Sequence, residues 1–197
     1  LQDLENIQQY VSKRRARVGA VIGGGVLGLE AAKVLHDLGL QTSVLEMAPG
    51  LMPRQLDAQA ATILKERIES MGVAVHLVRR TKSIVPQSDG PLEIHFANAD
   101  PLLTDILIVA AGVIPNDGLA RRCGLEVAQR GGIVVDDCLQ TTDPKIFAIG
   151  ECISHRDHVY GLVAPCYRMA DTLANRLTGR DDRFHGADES AELKLMG

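Results

Sequence analysis

The sequence predicts an α/β fold built on a parallel sheet, and three observations predict it. Short apolar runs at Val18–Ile22 and at residues 42–45 are bounded by turn residues, as buried parallel strands are. A helical pattern at Val26–Asp37 separates them. A second helical stretch then leads to a third apolar run at residues 73–78, completing a β-α-β-α-β alternation.

Each element has a local reason. Residues 3–15 read as a helix with Leu4, Ile7 and Val11 on one face. Lys13, Arg14, Arg15 and Arg17 cluster at its end, where cations suit the helix dipole. The helix Val26–Asp37 meets Gly39, a C-terminal cap. A loop over residues 47–56 holds Pro49, Gly50 and Pro53. Asp57 is an N-cap for a helix that runs to Met71 and stops at Gly72. The pattern then changes. Residues 82–85 and Leu92–Phe96 predict strands of an antiparallel meander, separated by residues 86–91. Residues 105–110 return to the parallel sheet and end in Ala111-Gly112-Val113-Ile114-Pro115-Asn116. Open α/β sheets bind ligands at such a C-terminal strand end. Beyond it come a short helix at residues 119–123, a strand at Ile133–Val135, a strand at residues 146–149 ending in Gly150-Glu151, and a helix at residues 167–177 closed by Gly179. A polar tail follows.

Bulk properties narrow the function. A chain of 197 residues buries one good core or two small ones. A net charge of −4 and 3% aromatic residues argue against nucleic acid and anionic membrane surfaces as partners. No apolar run approaches a membrane span, and no signal peptide opens the chain. Cys123, Cys138, Cys152 and Cys166 have no zinc or C-x-x-C spacing and read as reduced, partly buried thiols of a cytoplasmic protein. The histidines are scattered without metal-ligand spacing, so no metal is expected. The chain opens on Leu1 rather than Met, which reads as a fragment or a processed product.

The chemistry concentrates in Gly23-Gly24-Gly25-Val26-Leu27-Gly28, where the first strand meets the first helix. Glycines at 23, 25 and 28 form a dinucleotide fingerprint. Gly23 makes the tight turn, Gly25 admits a pyrophosphate to the backbone, and Gly28 lets helix and strand pack closely. Val26 and Leu27 add N–H groups at the helix start, with plain packing as the other reading of Leu27. Glu46, eighteen residues after Gly28, closes the second strand, where a carboxylate accepts hydrogen bonds from the adenosine ribose. The other reading of Glu46 is a solvated strand end. Met47 and Ala48 follow, with no arginine for a 2′-phosphate, so NADH is favoured over NADPH. Arg54 could still reach round.

Three segments together resemble the pyridine-nucleotide-dependent flavoprotein reductases: V-I-G-G-G-V-L-G-L-E at residues 21–30, D-I-L-I-V-A-A-G-V-I-P-N at 105–116, and T-T-D-P-K-I-F-A-I-G-E at 141–151. The finer wording of G-L-E-A-A, E-S-M-G-V, A-I-G-E-C, G-L-V-A-P and the tail at residues 186–197 resembles the large subunits of NAD(P)H-dependent nitrite reductases. The resemblance implies a Rossmann-like three-layer FAD/NAD(P)-binding fold, with a parallel sheet and an antiparallel meander, plus the C-terminal part of an FAD-binding domain. It implies a linker helix at residues 1–16, an NAD(H)-binding domain at 17–115, a returning FAD-domain segment at 116–180, and the start of a following domain at 181–197. The implied reaction is hydride transfer from NADH to FAD. Glu30 would point toward the nicotinamide end, its other reading being a surface carboxylate favoured by the helix dipole. Gly112 would admit the nicotinamide ribose or amide to the backbone, with Val113 beside it. Gly150 and Glu151 resemble a Gly-Asp motif whose acid contacts the ribityl chain of FAD, here with Glu in place of Asp. Only one glycine fingerprint is present, so the N-terminal FAD half, and tight FAD binding, belong to a longer enzyme. Implied partners are NADH and the FAD-binding half and downstream electron-acceptor domains of the same enzyme, with room for a homodimer. A rubredoxin or ferredoxin reductase of the same group, a non-catalytic nucleotide-binding module and a scaffold that binds no nucleotide are the alternatives.

Overall fold

The computed structural model describes residues 2–88, 90–190 and 193, with side chains from residue 5 onward. Its elements in chain order are α1 (Gln2–Arg14), β1 (Val18–Ile22), α2 (Val26–Asp37), β2 (Gln41–Leu45), α3 (Ala58–Ser70), β3 (Ala74–His76), β4 (Thr81–Pro86), β5 (Leu92–Phe96), β6 (Leu102–Thr104), β7 (Ile106–Val109), α4 (Gly118–Arg122), β8 (Ile133–Val135), β9 (Ile153–His155) and α5 (Val163–Leu177). They fall into two compact units, Leu1–Ala111 with Ala191–Gly197, and Gly112–Ser190.

The first unit has three layers. Its central sheet runs in the order β3-β2-β1-β7, and every pairing is parallel. The strand pleat sends alternate side chains to opposite faces. Val21 and Val44 meet Leu29, Ala32 and Leu35 of α2 and Ile68 of α3 on one face. Their neighbours Ala20 and Leu45 meet Ile94 of the meander on the other, joined by Phe96, Leu102 and Leu107. Asp57 caps α3 as expected, its carboxylate accepting from the Ala60 N–H at 2.8 Å. Asp105 fixes the start of β1, its carboxylate accepting from the N–H groups of Arg17 at 2.7 Å and Val18 at 2.9 Å. On α1, Ile7 and Val11 pack against the helix-side core, and Leu4 lies outside the described side chains.

In this unit, β3 and the meander differ from the sequence reading. β3 stops at His76 rather than residue 78, because Val78 takes a left-handed backbone (φ +55°) that no strand continues. The meander β4-β5-β6 gains a third strand beyond the two expected.

The second unit carries a two-stranded parallel sheet, β8 with β9, and the helices α4 and α5. Residues 146–149 form no strand. They make one bridge, Gln140 to Phe147, inside a tight turn, and it is β9 that pairs with β8. Helix α5 begins at Val163, four residues earlier than expected, with Pro165 in its first turn, where a missing N–H has no helical partner to lose. The core comprises Val135, Leu139, Ile153, Tyr160, Met169 and Phe184. Phe184 is fully buried, so the polar stretch after residue 180 is anchored in this unit through Ser190.

Candidate functional site

The glycine run at the end of β1 divides by what a methyl group would meet. A Cβ on Gly23 (φ +112°) would lie 2.3 Å from the Ala110 carbonyl oxygen, and one on Gly28 would lie 2.0 Å from the Gly23 carbonyl oxygen. Both positions are closed by backbone. A Cβ on Gly25 would meet nothing within 4 Å, so open space lies in front of this residue. Gly25 is also the extended N-cap of α2, with no side-chain cap and no acidic residue in the first turn. Neither the cap residue nor an acid of the first turn therefore takes up the first N–H groups of the helix, which suit an anion. Val26 packs against the core, whereas Leu27 is 67% exposed, so packing does not explain it. Glu30 is half-buried two residues past Gly28 on the same helix.

Glu46 faces this loop. Its Oε2 accepts from the Gly24 N–H at 2.6 Å and its Oε1 from the Ala48 N–H at 2.7 Å. A carboxylate has about four lone-pair sites, so it retains acceptor capacity for two sugar hydroxyls. The loop after β2 is bound to the same glycine, with the Met52 N–H donating to the Gly24 carbonyl at 2.9 Å. A Cβ on Gly24 would sit 2.6 Å from Leu51 Cδ2 and 3.0 Å from Glu46 Oε2. Sequence reasoning missed Gly24, Leu51 and Met52. The signal for Gly24 was the extra glycine between the two that the fingerprint requires. The Glu46 main chain is held on its other side, donating to the His76 carbonyl at 2.9 Å and accepting from the Arg79 N–H at 2.8 Å.

The remaining candidates lie in the second unit. Gly112 (φ +105°) is exposed, with nothing within 4 Å of a Cβ. Val113 is half-exposed, its Cγ2 lying 3.5 Å from the Cβ position of Gly161, ahead of α5. Gly150 (φ +92°) donates its N–H to Met169 Sδ at 3.2 Å, and Glu151 is exposed. Burial first, and the Glu151 charge second, push the Cys166 thiol above its usual range. Burial does the same to Cys152. Gly23, Gly25, Val26, Leu27, Gly28, Glu30 and Glu46 thus share the first unit, while Gly112, Val113, Gly150 and Glu151 share the second.

Residues 1–170 match the family model for pyridine nucleotide-disulphide oxidoreductases. The chain belongs to this family. Members of the pyridine nucleotide-disulphide oxidoreductases bind NAD(P)H and FAD. Among curated relatives, the chain is 47% identical over its whole length to the nitrite reductase (NADH) large subunit of Escherichia coli, covering 23% of that protein. It is 48% identical over its whole length to the nitrite reductase [NAD(P)H] large subunit of Klebsiella oxytoca, covering 20%. The chain therefore spans about a fifth to a quarter of these relatives. Among solved structures, it matches a NAD-dependent persulfide reductase from A. fulgidus with a TM-score of 0.86 and 28% identity, over 95% of this chain and 35% of that one. Among the described residues, no helix is long and apolar enough to cross a membrane.

Proposed function

We propose that this chain is the NADH-binding portion of an FAD-dependent cytoplasmic oxidoreductase whose terminal acceptor is nitrite. The observation that carries the nucleotide assignment is the open space before Gly25, set between closed positions at Gly23 and Gly28, with the Glu46 carboxylate tied to the same loop. The nitrite assignment rests on the names of the relatives, and the cytoplasmic one on the free thiols.

When bound, NADH supplies a hydride that FAD accepts. The residues of this chain bind and orient. The N–H groups of Gly25, Val26 and Leu27 face the pyrophosphate at the positive end of α2. Glu46 accepts from the adenosine ribose and repels a 2′-phosphate. Glu30 serves the nicotinamide end, and Gly112 and Val113 leave its ribose or amide access to the backbone. Gly150 fits a flavin tail, having no Cβ in open space, and Glu151 is exposed to meet the ribityl chain. Residues 17–115 are then the NAD(H)-binding domain and 116–180 the returning part of the FAD-binding domain, with a linker helix at 1–16 and the start of a following domain at 181–197.

Calorimetric titration of the chain tests the assignment. NADH should bind, with NADPH weaker by at least about tenfold, because like charges in contact cost several kcal/mol. Equal or tighter NADPH binding would overturn the role of Glu46. In the full-length enzyme, NADH oxidation should be coupled to nitrite. Coupling to a small iron–sulfur protein instead would leave the nucleotide assignment standing and replace the acceptor.

A further inference from the structure

The main chain of Glu46 leans on a strained turn. Beyond β2, the segment 76–79 is its lateral support, through the His76 carbonyl and the Arg79 N–H. That segment reverses at Val78, whose left-handed φ of +55° is a costly conformation for a β-branched residue. A turn of this kind persists only where its surroundings hold it. The Val78 N–H donates to the Ala48 carbonyl at 3.2 Å, on the Glu46 side. On the other side stands Asn98, between β5 and β6. Its Nδ2 donates to the Val78 carbonyl at 2.6 Å, and its Oδ1 accepts from the Arg80 N–H at 3.2 Å. The side-chain amide thus meets a carbonyl and an N–H two residues apart, as a paired strand would. Adjacent to it, the Ala97 N–H donates to the Arg80 carbonyl at 2.9 Å.

We infer that Asn98 is a positioning residue for the adenosine end of the nucleotide: by clamping the Val78 turn from the meander, it fixes the main chain that aims Glu46. The inference rests on the assignment of Glu46 to the ribose. Asn98 touches no part of that carboxylate and acts only through the 78–80 backbone. Aspartate at this position would keep an acceptor for Arg80 and set a second one against the Val78 carbonyl. Alanine would release both groups.

The test compares binding of ADP and 2′-deoxy-ADP, which differ by the hydroxyl that Glu46 is assigned to hold. The wild-type chain should prefer ADP. Asn98→Ala and Asn98→Asp should each weaken ADP by about fivefold, the scale of one or two net hydrogen bonds. Binding of 2′-deoxy-ADP should change little, so the preference collapses. Hydrogen exchange at the Arg79 amide should quicken in both variants, while the Gly24 amide stays protected. A part that only stabilises the hairpin would lower the unfolding midpoint and leave the ADP preference intact. A preference retained in either folded variant overturns the inference, and Asn98→Asp serves if Asn98→Ala does not fold. A wild-type chain that takes both nucleotides equally overturns the Glu46 assignment itself, and the inference with it.

Discussion

An alanine methyl at Gly28 would arrive 2.0 Å from the Gly23 carbonyl oxygen, and neither partner is a flexible side chain that can swing aside. Gly28→Ala should therefore destabilise the chain by at least about 2 kcal/mol, as overpacking against backbone does. Urea unfolding followed by circular dichroism will show it. Gly25→Ala should behave oppositely. Its methyl enters open space, so the cost to stability is under about 1 kcal/mol, the difference between Gly and Ala as N-caps. That space is where the pyrophosphate is assigned, so NADH affinity should fall by at least about tenfold, or 1.4 kcal/mol. Calorimetry on the folded variant separates the two effects. The fingerprint glycines were legible because their spacing encodes a strand, a turn and a helix. The contacts of Gly24 were not, because its neighbours Leu51 and Glu46 reach it only once the loop after β2 has folded back.

At the scale of single elements, caps and breakers were readable, and non-local pairings were not. Asp57 acts on a neighbouring N–H through its own carboxylate, and Gly39 and Gly72 act through their own backbone, so sequence reveals all three. Ser154 and His155 look polar but are buried, because β9 gains its burial from pairing with the distant β8. The apolar residues 146–149 misled for the opposite reason: a tight turn holds them out of a ladder. Helix α5 allows a test of its own. Asp182 receives Arg168 at 2.9 Å and Asn175 at 2.9 Å, and these bonds hold its carboxyl down at about 2 from 3.8. Arg156, then His155, hold Asp137 equally low. A carboxyl lowered by folding contributes stability above its unfolded value and loses it as pH falls through the folded one. Unfolding midpoints in urea should thus drop between about pH 4 and pH 2. Asp182→Asn should be less stable at pH 7 and show a shallower acid slope. An unchanged slope would mean that Asp182 does not carry it.

For the molecule as a whole, the order of elements was enough to predict layers, because a parallel sheet with crossover helices has few arrangements. The partition into two units, and the anchoring of the polar tail by Phe184, depend on packing that no local pattern announces. Ligand binding should be visible as stability. NADH at a hundred times its Kd should add about 2.7 kcal/mol if it binds only the folded chain. FAD at the same concentration should add less, since the chain has a single glycine fingerprint. Melting curves with each compound will measure both, and an equal shift from FAD would count against the division of roles between the two units.

The hydrogen bond from Gly24 to Glu46 has a consequence for cofactor exchange. The acid that would discriminate against a 2′-phosphate is also a strut under the phosphate-binding turn. Swapping it for an apolar or basic side chain, which has no acceptor, removes repulsion and bracing in one stroke. A conversion toward NADPH at this position alone should therefore lose grip on both nucleotides, and recovering it calls for a replacement acceptor that supports the Gly24 amide from another direction.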